Sequence, residues 1–330
     1  MKKIFILLII VGLVCFMWFW YGLNYASSFK NDQSFKIEAG DSAGQIADKL
    51  KSSGLLNNRF LFLFYARFSG SQTKFVSGEH WLKANSSIKD LVIDLTSTAT
   101  LSRENKITFL EGWKISDIAD YLDTRQLANK KDFLRASDVE AWRVKYDFLQ
   151  DKKISSLEGF IFPDTYMIFF DASAEDIIAK SLNNFNAKLT TEMKHDLAKQ
   201  GRSLYDALIL ASIIEREALY SEDRPIIAGI FLNRLREGIG LQSDATVNYA
   251  TGKKNPRPTF EDLKIESPYN TYKYRGLPPT PICNPGLASI KASIYPQQTD
   301  YYYFLTDEKG KAHFGKTYTE HQQNIAKYLD

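Results

Sequence analysis

The sequence predicts an α+β protein behind a single N-terminal transmembrane helix. A small α/β subdomain is expected to come first, and a larger mixed α+β domain to follow it. Three observations carry this expectation: a long uncharged run near the start, a strand–glycine–helix pattern that occurs twice, and one helix that is apolar on nearly all sides within a loop-rich second half.

Lys2 and Lys3 precede an uncharged stretch over residues 4–29. That exceeds the roughly 20 residues needed to cross a bilayer core. Trp18, Trp20 and Tyr21 fall near its end, where an aromatic belt meets the headgroups. The two lysines favour a cytoplasmic N-terminus and place the chain beyond about residue 30 outside. The expected division is a tail at 1–3, a span at 4–23 and a linker at 24–34. The rival is a cleaved signal peptide, for which Ala26-Ser27-Ser28 offers small residues. Its apolar core is usually only about 7–15 residues long, so length favours a retained anchor. Gly12-Leu13-Val14 is a poor lead-in for lipid attachment at Cys15.

The pattern Phe35-Lys36-Ile37, Gly40, Ile46-Ala47-Asp48-x-Leu50 returns as Ile107-Thr108-Phe109, Gly112, Ile118-Ala119-Asp120-x-Leu122. Each copy reads as a short strand, a glycine turn and an amphipathic helix with apolar residues at i and i+4. Two copies are too few for a solenoid. The first copy continues into an aromatic run at 60–65, expected as a buried helix, then Val76-Ser77-Gly78-Glu79-His80-Trp81 and a helical stretch at 87–95. This arrangement over 35–100 resembles small glycan-binding modules of the LysM type; the plain alternative is a packing subdomain without a ligand. A polar run at 96–105 marks a boundary, and the second copy opens a domain expected over 105–330.

Composition excludes several function classes. Lys+Arg 42 against Asp+Glu 39 is too balanced for a nucleic-acid binder. Two cysteines and four histidines exclude a disulfide framework and argue against a zinc cluster, so no metal and no cofactor are expected. The sequence has no H-E-x-x-H, nucleophile elbow, phosphate loop or dinucleotide fingerprint. Aromatics make up 14%, and those in loops can stack on sugar rings.

Two segments stand out for chemistry. In Leu157-Glu158-Gly159-Phe160-Ile161-Phe162-Pro163-Asp164-Thr165-Tyr166, Pro163-Asp164 signals a turn, and the alternating aromatics before it suit a strand or extended edge. Asp164 is read either as a turn residue bonding nearby backbone or as a site residue. The second segment, residues 204–217, is a helix that Ser203 can cap and that is apolar on nearly all sides from 207 to 214, hence buried. Glu215 shares a face with Leu208 and Ala211. Emerging from apolar surroundings, its carboxyl is expected to hold a proton near neutrality, as a general acid must. Glu217 points elsewhere if the helix continues. The bland reading has both glutamates marking the helix's surfacing, paired with Arg216 or Arg224. Downstream, 222–237 reads as a helix with Pro225 in its first turn. A region dense in Pro, Gly, Asn and Tyr follows, suited to ordered loops lining a groove, and 301–305 reads as a strand.

At these segments the chain resembles the endolytic murein transglycosylase family, also called YceG-like. The resemblance rests on Leu157-Glu158-Gly159 with Pro163-Asp164-Thr165-Tyr166, on Ala211-Ser212-Ile213-Ile214-Glu215-Arg216-Glu217, and on Phe231-Leu232-Asn233-Arg234-Leu235. It continues through Leu241-Gln242-Ser243-Asp244-x-Thr246-Val247-x-Tyr249, Ser267-Pro268-Tyr269-Asn270-Thr271-Tyr272, Gly276-Leu277-Pro278-Pro279-x-Pro281-Ile282 and Asn284-Pro285-Gly286.

The resemblance implies a single-pass anchor, a LysM-like subdomain, an α+β catalytic domain and Glu215 as the catalytic residue. It implies a reaction in which the acid protonates the glycosidic oxygen between N-acetylmuramic acid and N-acetylglucosamine. The same group then takes the proton of the muramic C6 hydroxyl, closing a 1,6-anhydro ring without consuming water. Peptidoglycan strands are the implied substrate, and membrane-bound peptidoglycan synthases the implied neighbours at the bacterial cytoplasmic membrane. Glu158, Asp164, Tyr166, Gln242, Asp244, Asn270 and Tyr272 are candidates for binding sugar or positioning Glu215, each with a purely structural alternative. Two rival functions stay open: a hydrolytic muramidase using Glu158 or Asp164 as second carboxylate, and a non-enzymatic glycan-binding scaffold.

Overall fold

The structure is a computed structural model that describes residues 17, 20–23, 29–30, 32–98, 104–169, 172–253 and 257–329. The span expected over 4–23 lies outside the described residues except for 17 and 20–23. Among the described residues no helix is long and apolar enough to cross a membrane. The chain is mixed α+β, and its strands pair into two-stranded sheets. It divides into two compact units, 1–105 and 106–330.

In the first unit, β1 (Gln33–Ile37) pairs antiparallel with β2 (Gly78–Leu82), matching Phe35 with His80. Between the strands lie α1 (Ala43–Ser52) and α2 (Arg59–Phe68), and α3 (Ile88–Thr96) follows β2. Gly40, at φ +93°, makes the turn from β1 toward α1. Ser42 and Gln45 close a capping box at the start of α1, which answers two of the amide donors that a helix start leaves open. Ile46, Ala47 and Leu50 of α1 pack with Leu61, Phe62 and Ala66 of α2 and with Leu91 and Leu95 of α3. The helix α2 buries only one side. Phe60, Phe64 and Phe68 face outward, so the expectation of a wholly buried helix there is corrected.

The second unit opens with the other copy of the pattern. β3 (Glu104–Thr108) leads through Gly112, at φ +78°, to α4 (Ile115–Thr124), which buries Ile118, Ala119 and Leu122. Then come α5 (Lys130–Ala136), the short α6 (Glu140–Arg143), and β4 (Thr165–Phe169), which pairs with β3. The extended segment expected before Pro163 is instead a buried turn, and the strand begins after Asp164. Asn284 explains the difference: its side-chain oxygen accepts from the amides of Gly159 (2.8 Å) and Ile161 (3.0 Å). These backbone donors are therefore satisfied without a partner strand.

Helices α7 (Ala174–Lys188) and α8 (Thr191–Lys199) precede the central α9 (Leu204–Glu217). Ser203 caps α9, and every residue from Ala207 to Ile214 is buried. It packs on α10 (Arg224–Arg236), which has Pro225 in its first turn, on α11 (Asp244–Thr251), and on α12 (Leu287–Ile294). Ser212 of α9 accepts from the amide of Ile282 at 3.0 Å, tying the loop before α12 to the helix. The hairpin of β5 (Tyr303–Thr306) and β6 (Ala312–Gly315) and the helix α13 (Tyr318–Tyr328) complete the unit.

Candidate active site

Buried from Ala207 to Ile214, α9 delivers Glu215 in its last turn. The Glu215 side chain is only 6% exposed. Its environment is not the apolar one that the helix pattern suggests. Arg224, the first residue of α10, donates from Nη2 to Glu215 Oε1 at 3.1 Å. The backbone amide of Gly286, at the N-terminus of α12, donates to Oε2 at 2.9 Å. Two donors from separate elements thus fix the carboxyl in one orientation.

A second carboxylate, missed from sequence, sits beside the first. Glu111, on the loop between β3 and α4, lies 3.9 Å from the same Arg224 Nη2, and its side chain is 51% exposed. Burial pushes its pKa up, the charge of Glu215 adds to that, and Arg224 opposes it. Its Oε1 lies 1.9 Å from where a Cβ on Gly286 would fall, so the carboxyl rests directly against that glycine and any larger residue would push it aside. The signal was in the repeat: the copies share Gly40 and Gly112, but Ala39 precedes one and Glu111 the other.

Glu158 is buried away from solvent and bonded elsewhere. It accepts from the Ile115 amide at 3.1 Å and from Asn284 Nδ2 at 3.0 Å. Burial raises its pKa to about 8, against the pull of the Ile115 amide, Lys114 and Asn284. Asn284 Nδ2 also donates to the Trp113 carbonyl. This pair therefore knits the loop before α4, the turn at 157–161 and the loop before α12; the first and last of these carry Glu111 and Gly286. Asp164 accepts from the Thr165 amide (2.8 Å) and from Asn184 Nδ2 (2.9 Å). Burial works against it, but Asn184, Thr165 and Lys188 hold its pKa below the usual carboxylate range. The Tyr166 hydroxyl donates to the Phe162 carbonyl, and its ring packs on Phe109. Both residues lie where β4 meets α7.

Gln242, Asp244 and Tyr272 line a cavity of about 1100 Å³ with Gly112, Trp113, Arg216 and Glu217. Tyr272 donates to Asp244 Oδ1 at 2.6 Å. Gln242 holds a left-handed φ of +50°, and its amide bonds the Thr271 carbonyl. Asn270 stands behind the wall, fully buried, donating to the carbonyls of Leu263 and Ile265. Glu217 faces this cavity and accepts from the Ser243 hydroxyl; burial raises its pKa. The two glutamates of α9 therefore meet different partners. Lys114, Arg216, Arg234, Lys253 and Arg257 line the cavity together with Asp117, Asp120, Glu217 and Asp244, so its lining is polar and carries both signs of charge. No group of His, Cys, Asp and Glu among the described residues could hold a metal ion.

The model of the YceG-like family matches residues 35–327. The chain belongs to this family. It is 35% identical to a Bacillus subtilis protein named endolytic murein transglycosylase, over 94% of this chain and 90% of the relative. A Streptococcus pneumoniae protein of the same name is 28% identical over 89% of this chain, which spans 58% of that relative's length. The crystal structure of a YceG-like protein from Listeria monocytogenes aligns with a TM-score of 0.64 at 33% identity, covering 89% of this chain and 98% of that one.

Proposed function

We propose that this YceG-like chain is an endolytic murein transglycosylase, a lyase that cleaves the bond between N-acetylmuramic acid and N-acetylglucosamine within peptidoglycan strands. The observation that carries the reading is the carboxyl of Glu215, clamped between Arg224 and the Gly286 amide at the end of a buried helix. One fixed carboxyl serves both halves of the reaction. Protonated Glu215 gives its proton to the leaving oxygen as the muramic C1–O bond breaks. The resulting carboxylate, stabilised by Arg224, takes the C6 hydroxyl proton as O6 bonds to C1. The proton returns to Glu215 and no water enters. Gln242, Asp244 and Tyr272 on the cavity wall are placed to meet sugar or stem-peptide groups. Glu158 and Asn270 act behind it by holding loops.

The proposal includes the retained anchor over 4–23, a LysM-like role for the first unit over 35–100, a catalytic domain over 105–330, and an extracytoplasmic site close to membrane-bound synthases. One observation favours a second reading, a hydrolytic muramidase: Glu111 offers a second, half-exposed carboxylate next to Glu215. In a hydrolase such a carboxylate activates water or forms the covalent intermediate. Mass spectrometry of purified peptidoglycan digested by the full chain separates the two. Ends of the 1,6-anhydro type are expected, released from strand interiors, and reducing ends would overturn the transglycosylase reading.

A further inference from the structure

The first unit carries an aromatic row that the proposed chemistry does not use. Phe60, Phe64 and Phe68 recur at i, i+4 and i+8 along α2, so they share one face. They are 69%, 43% and 82% exposed, and neighbouring rings lie 6.3 Å apart at both steps. Single exposed aromatics are ordinary on a water-facing surface, whereas a contiguous row marks a contact. The opposite face of α2 buries Leu61, Phe62 and Ala66 in the core of the unit.

The same helix receives the end of the uncharged run. Trp20, Tyr21, Gly22 and Leu23 are helical, and a Cβ on Gly22 would fall 2.5 Å from Leu61 Cδ1. Leu23 and Phe29 are buried in the cluster that holds Leu61 and Phe62. Met17, Trp20 and Tyr21 are themselves exposed. The apolar run thus ends against the helix that carries the phenylalanine row, and Arg67, also exposed, follows Phe64 by three residues on that helix.

We propose that α2 lies in the headgroup layer of the bilayer that holds the anchor, with Phe60, Phe64 and Phe68 dipping toward the acyl chains. This rests on the anchor proposed above. An amphipathic helix at an interface buries its apolar side by roughly 5–10 Å, and a nearby arginine suits lipid phosphates. The lipid surface is favoured over a second copy of the chain because the apolar segment that would enter it docks on this same helix.

The test uses the full chain in lipid nanodiscs with Cys15→Ser, since Cys283 is buried. A nitroxide is placed in turn at Phe60→Cys, Phe68→Cys, Lys51→Cys on α1, and Ile9→Cys within the anchor. Collisions with oxygen, which concentrates in lipid, are compared with those of a water-soluble nickel chelate. The oxygen-to-nickel ratio at positions 60 and 68 is expected to exceed that at 51 several-fold, with position 9 higher still. A ratio at 60 and 68 equal to that at 51, with position 9 in lipid, overturns the contact and leaves the anchor standing. Weak collisions with both reagents at 60 and 68 mean that protein covers the row, which also overturns the proposal. A water-like ratio at position 9 sinks anchor and contact together.

Discussion

The two copies of the strand–glycine–helix pattern fold alike and differ in what they touch. In the first, Gly40 turns into open space: nothing stands within 4 Å of where its Cβ would be. Its helix start is satisfied locally, by Ser42 and Gln45. In the second, the Gly112 position faces Arg216 and Glu215 at 3.5–3.8 Å, and Glu111 replaces Ala39 beside it. The first amide of its helix, Ile115, is satisfied by Glu158, 43 residues away. The same backbone frame therefore serves as a self-contained packing unit in one place and as one wall of the candidate active site in the other. The difference is physical: to a local bond from the Lys114 amide to Asp117 the second copy adds a long-range one to Glu158, which ties the helix to the turn at 157–161.

The largest expected effect lies at the carboxyl to which the second copy is locked. Glu215→Gln keeps the shape but can neither release nor accept the proton. The loss in cleavage should reach or pass the top of the roughly 10²–10⁴-fold range of general acid–base assistance. Anhydro-muropeptide release by mass spectrometry, with circular dichroism to verify the fold, measures it. Activity within tenfold of wild type would show that Glu215 is not the catalyst. Glu217→Gln should be milder, since that side chain bonds Ser243 and not the residues that clamp Glu215.

Erasing the distinction between the copies comes next. Glu111→Ala gives the second copy the side chain of the first and leaves Arg224 to Glu215 alone. Rates should fall roughly tenfold to hundredfold, the scale on which a disturbed reacting group loses efficiency. The products should keep their anhydro ends. A variant as inactive as Glu215→Gln, together with reducing ends in wild-type product, would make Glu111 the second carboxylate of a hydrolase.

Legibility follows the range of the contacts. The cap at Ser203, the buried α9 and Pro225 at the start of α10 are local signals, readable from neighbours in the chain. Half of the clamp on Glu215 is readable too, since Arg224 lies nine residues on and is a candidate partner from the sequence. The other half is not, because Gly286 is 71 residues away in a loop that Asn284 organises. Glu158 and Asn270 stood out in the family's motifs as candidates to bind sugar. Their bonds run to backbone and to Asn284, which pure pattern cannot distinguish from bonds to a ligand. Glu111 was within reach, but only by asking where the two copies differ.

The burial of Glu158, which outweighs its bond to the Ile115 amide, predicts a pH effect of opposite sign to ordinary acid denaturation. The folded pKa of about 8 lies above the ordinary 4.5. The folded state thus favours the protonated form, and its advantage is fully present below pH 4.5 and lost as pH rises toward 8. Glu158→Gln should remove this dependence and flatten stability between pH 4.5 and 8 relative to wild type. The difference should come to roughly a few kcal/mol at most, since a tenfold change in proton affinity is worth about 1.4 kcal/mol. Urea unfolding across that range tests it. Parallel pH profiles for the two proteins would mean that Glu158 does not titrate as its burial requires.

The smallest expected effect is at the other copy, where capping is local. Ser42→Ala removes the hydroxyl that accepts from the Gln45 amide at the start of α1. Loss of an N-cap costs about 1 kcal/mol. The cost should fall on the first unit alone, because Ser42, Gln45 and the turn at Gly40 bond only within that unit among the described residues. Hydrogen exchange should quicken in α1 and remain unchanged in α4 and α9, and the rate on short soluble glycan fragments should stay at the wild-type value. Faster exchange in α4, or a drop in that rate, would mean that the first copy supports the site after all. The contrast between a self-capped unit and a site-locked one would then fail.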